Sequence, residues 1–498
     1  MTSAGLFLGT DDASRDWLVE ATARLVAEVV HRSGALAGAW NAEVSAGAIE
    51  QLDPLPRQAV PFDDVIAEVG EVVLAHAIRP TDRRTVAHLH SPTLITAAAT
   101  EVAIGATNQS MDSYDQAPAA TLVEDRLVRR LAEVIGLPAT GSGVMTAGGT
   151  ASNLMGLTLA REAAARRRGF DVAADGLPPE ARQWRVIASA TAHFSITRAA
   201  MLAGLGHRSV VTVDCDDTGA MDIAALDATL ADLRADGFEV FAIVGTAGTT
   251  DLGAIDPLDQ LADRAAEVGA WFHVDAAVGG ALALSDRLAP LLDGIGRASS
   301  VTVDLHKLWW QPISSSVLLV SDVASFGLIH EHSEYLDRVE DAETGVLNLV
   351  GRSLDTSRRF DALKALVSLR STGTDRLAAM LEHLVDTTAA VAGRIAGRPG
   401  FELLAPPTTV MVVFRWTGRS LDDEPLHDAA LDDAALDRIN TAVQRWLFES
   451  GQAVVGRTRH RGVVALKFTL VNPGLEVDDL DVLLDLIATT AAQLLETP

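Results

Sequence analysis

Cysteine, tyrosine and lysine are scarce in this 498-residue chain, and long hydrophobic runs are missing. The one cysteine, Cys215, excludes an intramolecular disulfide and suits a cytoplasmic setting. No apolar stretch reaches the roughly 18 residues of a membrane span. The opening residues 1–14 carry no basic region ahead of their short apolar stretch, so they do not read as a secretory signal. Positive charge is also in deficit: the net charge of −27 argues against nucleic acid as a partner, because phosphate contacts need basic patches. No phosphate-binding P-loop occurs, and Gly141 and Gly143 are followed by Thr146 where a dinucleotide fingerprint needs its third glycine. Of 40 lysine and arginine residues, only Lys307, Lys364 and Lys467 are lysines. A surviving lysine either marks a place that needs a primary amine, which arginine cannot supply, or is left over from the bias toward arginine.

What is present describes a globular α/β chain of two or three structural units, 48% hydrophobic and 21% charged. Residues 16–30 place Leu18, Ala21, Leu25 and Val29 on one helical face, as an arm that packs on something else. From about residue 120 helical stretches alternate with short apolar runs: WRVIASA, RSVVTVD, VFAIVG, AWFHVD, SSVTVD and SSSVLLV. Such alternation indicates a mainly parallel sheet covered on both faces, with ligands beyond the carboxyl ends of the strands. After residue 373 an amphipathic helix, three strand-like runs and a closing helix indicate a small α+β domain. The acidic stretch 417–436 reads as a solvated excursion. The expected divisions are 1–115, 116–372 and 373–498.

Four groups fall at the ends of these strands or at a helix start. Lys307 follows the strand Val301–Val303, beside Trp309 and Trp310, whose rings are expected to desolvate its amine. Lys364 reads as a surface or capping lysine on a helix, and Lys467 lies inside a strand of the small domain. Asp275 ends a buried strand and is followed by small residues that leave room for a flat ligand, although a plain helix cap is an equal reading taken alone. Gly148 and Gly149 lead into Thr150, Ala151, Ser152 and Asn153 at a helix start, which is an anion site by geometry and dipole. His193 follows another strand; a lone histidine is more often structural, but its place at the same edge favours a ring-stacking role. An amine, a carboxylate, a phosphate cradle and a flat group are what pyridoxal phosphate (PLP) needs from a protein. His88 and His90 read as pocket wall rather than metal ligands, since no third ligand cluster follows, and no metal is expected.

These blocks resemble the group II PLP-dependent decarboxylases, which act on aromatic amino acids, glutamate, 2,4-diaminobutyrate and lysine. HVDAA at 273–277, DLHK at 304–307, TAGTTDLGAIDP at 246–257 and AHFS at 192–195 carry the resemblance. It extends through AHLHSPT, NQSMDSYDQAPAATLVE, SRRFDALKALVSLRSTG and LKFTLVNP, nearly the whole chain from about residue 50. The resemblance implies the type I fold of PLP-dependent transferases, with an N-terminal helical arm, a seven-stranded mainly parallel sheet and a small C-terminal domain. It further implies an intertwined homodimer with active sites at the interface. Residue by residue, it implies that Lys307 forms the Schiff base, Asp275 pairs with the pyridinium nitrogen, and His193 and Ala277 flank the ring. Gly149, Thr150 and His306 then serve the phosphate with Ser152 assisting, and Thr246 faces the ring hydroxyl side.

The resemblance also places Tyr335, in an acidic, glycine-containing stretch that reads as a flexible lid, as the acid that protonates Cα after CO2 leaves. Relatives with phenylalanine there tend toward oxidative aldehyde formation, so Tyr335 favours plain decarboxylation. The nearest motifs are those of 2,4-diaminobutyrate and lysine decarboxylases, which makes a small diamino acid, ornithine included, the expected substrate. Those relatives carry tyrosine where this chain has Val278, and Trp309 with Trp310 further reshapes the pocket. An aromatic or acidic substrate, or an oxidative deaminating or aminotransferase-type homologue, is the alternative.

Overall fold

A computed structural model describes residues 7–9, 11–31, 42–331, 336–337, 344–419 and 431–496. Contacts group the chain into two compact units, neither continuous in sequence: residues 1–88, 393–404 and 414–498 form one, and 89–392 with 405–413 form the other. The divisions expected at 115 and 372 follow the order of the chain, whereas this grouping joins segments far apart in sequence. Strand β1 (Thr85–Val86) pairs in parallel with a strand that begins at Val454, which ties an N-terminal segment to the C-terminal one.

The larger unit is built on strands β2 (Ser142–Thr146), β3 (Trp184–Ser189), β4 (Val210–Val213), β5 (Glu239–Thr246), β6 (Trp271–Asp275), β7 (Ser300–Asp304) and β8 (Ser316–Val320). They form one seven-stranded sheet in the order β2-β8-β7-β6-β5-β3-β4. Six of these strands answer to the apolar runs read from the sequence. The seventh, β2, escaped because its five residues begin and end on polar Ser142 and Thr146. Strands β3 to β7 pair in parallel, while β8 is antiparallel to both β7 and β2. Only residues 305–315 separate β7 from β8, fewer than a parallel crossover needs, so the chain turns straight back. Every residue of β7 and β8 is buried, the pattern of strands covered on both faces.

Helix Gly149–Arg167 packs across β5 to β8. Its approach is close because Gly156 has no side chain: a Cβ there would lie 2.6 Å from Cε1 of His273 on β6. The parallel strands therefore deliver their carboxyl ends to one edge, together with the start of this helix.

Strands β9 (Phe401–Leu403), β10 (Met411–Trp416), β11 (Val454–His460) and β12 (Val463–Thr469) join β1 in the order β1-β11-β12-β10-β9, and all of them but residues 411–413 of β10 belong to the smaller unit. Helices Asp433–Glu449 and Val477–Glu496 complete it. The expected N-terminal arm is present as helix Asp12–His31, which buries none of its residues. Residues 420–430 of the acidic stretch lie outside the described residues.

Candidate active site

A cavity of about 600 Å³ opens at the carboxyl edge of the large sheet. Gly148, Gly149, Thr150, His193, Thr246, Asp275, Ala277, His306 and Lys307 all line it, delivered by the carboxyl ends of β3, β5, β6 and β7 and by the helix start. Asp275 is the last residue of β6 and 5% exposed. Its Oδ1 accepts the Ala277 N–H at 3.1 Å, and its Oδ2 accepts Nδ2 of Asn153 at 2.8 Å. The reading of Asp275 as a plain cap of the next helix loses support, because one of its oxygens is held by a side chain from another element.

Lys307 sits three residues beyond the end of β7. Its amine does not lie among apolar rings as expected; Nζ pairs with Oδ2 of Asp304 at 2.8 Å. Asp304, 3% exposed, also accepts the hydroxyl of Ser316 at 2.6 Å and presses on the helix start. A Cβ on Gly149 would stand 3.0 Å from Oδ2 of Asp304, so only glycine fits there without displacement. Trp309 faces a second cavity, among Leu127, Leu131 and Leu377, and so leaves the candidate substrate wall. One turn of the chain past Lys307 is enough to carry a side chain to the other side of the loop.

His193 Nδ1 lies 2.8 Å from Oγ of Ser195. Burial, reinforced by the Lys307 charge and opposed by Asp275, lowers the pKa of His193 and favours the neutral ring. His306 donates from Nδ1 to the Ser315 carbonyl at 2.7 Å. Ser152 does not line the cavity. The 100° turn per helical residue points it at the sheet, where its hydroxyl meets Thr146 Oγ1 at 2.6 Å and Ser316 Oγ at 3.3 Å. His90 is exposed and absent from the cavity wall, and His88, also exposed, falls in the other unit. Tyr335 lies outside the described residues.

The other two lysines are elsewhere. Lys364 is fully buried rather than on the surface, its Nζ 2.8 Å from Glu101 Oε1, 3.0 Å from Asp361 Oδ1 and 3.0 Å from the Ser314 carbonyl. Lys467 belongs to β12 of the smaller unit. Asp304 and Asn153 are read from the sequence only as parts of the DLHK block and of the helix start, with no role of their own. The signal for Asp304 was in plain view, an acid three residues before the lysine; an amide on the buried face of a helix gives no comparable mark.

The donor set fits PLP. Lys307 offers the amine, Asp275 a carboxylate fixed at the cavity floor, His193 a neutral ring, and the start of helix Gly149–Arg167 free backbone N–H groups for an anion. The Thr246 hydroxyl, buried and without a hydrogen-bond partner among the described residues, is left for a ligand. A mainly parallel sheet carrying this set at its carboxyl edge defines a PLP-dependent enzyme.

Comparison with known proteins narrows the class. Residues 49–417 match the pyridoxal-dependent decarboxylase conserved domain, and the chain belongs to that family. It is 39% identical over 432 residues to an L-2,4-diaminobutyrate decarboxylase of Acinetobacter baumannii, covering 85% of this chain and 83% of that one. An L-2,4-diaminobutyrate decarboxylase of Rhizobium meliloti (strain 1021) is 38% identical over 494 residues, 99% and 95% of the two chains. The crystal structure of the glutamate decarboxylase domain of diaminobutyrate-pyruvate transaminase and L-2,4-diaminobutyrate decarboxylase from Vibrio parahaemolyticus superposes with a TM-score of 0.88. It is 38% identical and covers 98% of each chain. The protein is a PLP-dependent amino-acid decarboxylase.

Two buried groups beside the site give stability a pH dependence. Burial pushes His273 on β6 down to about 4, so between about pH 6.5 and 4 the unfolded chain binds a proton that the native one refuses. Its contribution is whole above that window and is lost as pH falls through it. Asp256, whose two oxygens accept the Met221 and Thr246 N–H groups at 2.7 Å each, is pushed up to about 6 by burial. Its effect has the opposite sign, lost as pH rises from about 4 to 6. His273→Gln removes only the first of these two effects. Its melting temperature should therefore fall less steeply than wild type between pH 6.5 and 4, by the equivalent of about 1.4 kcal/mol per pH unit. Parallel melting curves for the two proteins would refute this.

Proposed function

We propose that this chain decarboxylates a small L-diamino acid, 2,4-diaminobutyrate first among them, to its amine and CO2. The convergence of Lys307 and Asp275 on one cavity carries the chemistry of the proposal. The names of its relatives, each aligned over most of its length, support the substrate. Val278 lines the same cavity and distinguishes its wall from a tyrosine-lined one. A panel of L-amino acids scored for CO2 and amine release tests this. The highest kcat/KM is expected for 2,4-diaminobutyrate, and preference for an aromatic or acidic amino acid would overturn it.

In this reading Lys307 holds the cofactor covalently and the backbone N–H groups of Gly149 and Thr150, with His306, hold its phosphate. His193 and Ala277 flank its ring, and Thr246 bonds its hydroxyl side. When bound, PLP supplies a sink for the electrons left behind as CO2 departs. Asp275 keeps the ring nitrogen protonated by a charge-assisted bond. Tyr335 delivers the proton that Cα must then receive. Asp275→Asn keeps the shape but not the charge. A hydrogen bond to a charged group contributes about 1.5–3 kcal/mol, so PLP should bind about tenfold to a hundredfold more weakly in the variant. Wild-type affinity, read by titrating the apoenzyme with PLP, would return Asp275 to a structural role.

We also assign the protein to the cytoplasm as a homodimer. Helix Asp12–His31 leaves Val19, Leu25, Val26, Val29 and Val30 exposed, a surface suited to a second copy. Among the described residues no helix is long and apolar enough to cross a membrane. Sedimentation of the holoenzyme at twice the chain mass of 52.5 kDa is the expected result.

A further inference from the structure

Asn153 is 1% exposed and makes four side-chain hydrogen bonds, to residues of three different elements: helix Ser195–Leu202 and the strands β6 and β7. Its Nδ2 donates to Oδ2 of Asp275 and to Oγ of Ser195, both at 2.8 Å. Its Oδ1 accepts the Thr302 hydroxyl at 2.6 Å and faces Nε2 of His273 at 3.0 Å. Beyond His273, Nδ1 lies 2.8 Å from Oγ of Ser300, which also receives the Trp271 indole N–H at 2.8 Å.

The direction of every bond in this chain follows from its ends. An ionised carboxylate has no proton to give, so the amide atom facing Asp275 must be Nδ2, and Oδ1 faces His273. The buried, neutral His273 then carries its one proton on Nε2, and its Nδ1 takes the proton of Ser300. An indole can only donate, so Ser300 accepts from Trp271 with one lone pair and keeps its own proton for His273; the far end accommodates the direction that the near end sets. On the other branch the Ser195 hydroxyl accepts from Asn153 with one lone pair and gives its proton to Nδ1 of His193, 2.8 Å away, a nitrogen that must be an acceptor because a backbone N–H also faces it. The Ser195 backbone N–H points to the same nitrogen at 3.3 Å. His193 is left with its proton on Nε2, the nitrogen outside the network.

We propose that Asn153 is the positioning residue of this site, passing one hydrogen-bond direction from Trp271 to His193, so that Asp275 is held in place and His193 is set as its Nε2–H form. The proposal rests on the reading that Asp275 partners the cofactor's ring nitrogen and His193 its face. Through it, a single helix residue sets the group at the edge of the cofactor ring and the group over its face together. Gly156, three residues further along the helix, lets the helix lie close enough to β6 for Asn153 to reach His273.

The test is NMR of the holoenzyme carrying ring-15N histidine, with His193 and His273 assigned by their glutamine variants. Both should show a protonated Nε2 and an unprotonated Nδ1; a proton on Nδ1 of either ring overturns the chain. Asn153→Asp keeps the shape but sets an acceptor against Asp275. The variant's apoenzyme should bind PLP about tenfold to a hundredfold more weakly. Its His193 Nδ1 signal should also shift, because the Ser195 proton is drawn to the new carboxylate. Unchanged affinity and an unchanged His193 signal would overturn the proposal. If that variant does not fold, the wild-type histidine signals still decide. Reversed tautomers alongside a weakened Asp275→Asn variant would refute the network alone, whereas wild-type affinity in Asp275→Asn would refute the reading beneath it.

Discussion

Lys307→Arg should yield a folded protein that holds no covalent cofactor and has lost amine formation by a factor on the order of 10⁴–10⁶, the range for removal of a covalent nucleophile. The fold should survive because a guanidinium keeps the charge that faces Asp304, 2.8 Å from Nζ in the wild type. The covalent link fails because arginine does not lose its proton in proteins and offers no amine nucleophile. In the wild type, borohydride reduction and peptide mapping should place the pyridoxyl label on Lys307. A label on Lys364 would contradict the assignment, and its burial against Glu101 and Asp361 makes that position hard for any ligand to reach. A label on Lys467, in the strand Val463–Thr469 of the other unit, would contradict it equally.

Tyr335→Phe should leave PLP bound and substrate captured, since neither step uses the phenol. Amine formation should fall by about 10²–10⁴-fold, the usual contribution of a general acid, while CO2 release falls less. Paired assays of CO2 and amine distinguish this from a binding defect, which would lower both alike. Amine release at the wild-type rate would remove Tyr335 from the reaction and make His193 the next group to test as proton donor.

Much of this site was legible in one dimension because PLP chemistry asks for rare groups at strand ends. With three lysines in the chain, the one just past an apolar run stood out, and Asp275 ended another such run. The glycine pair before Thr150 showed the helix start. Residues that act through others were not legible. Asn153 matters because it reaches Asp275, 122 positions away, and no local pattern records that reach. Ser152, one residue earlier, looked the better candidate by residue type, and helical geometry turned it to the sheet instead. Trp309 misled for the same reason, since adjacency in sequence does not fix which side of a loop a ring faces.

The sequence by itself determined the fold class, the cofactor and the lysine, aspartate and histidine that line one cavity at the sheet edge, because apolar periodicity and residue chemistry are local properties of the chain. Only the tertiary structure decided the reversed direction of β8, the ion pair of Lys307 with Asp304, the burial of Lys364 and the hydrogen-bond chain through Asn153. These depend on distances between residues far apart in sequence, and those distances exist only once the sheet has set its strand order and the helix beginning at Gly149 has packed across it.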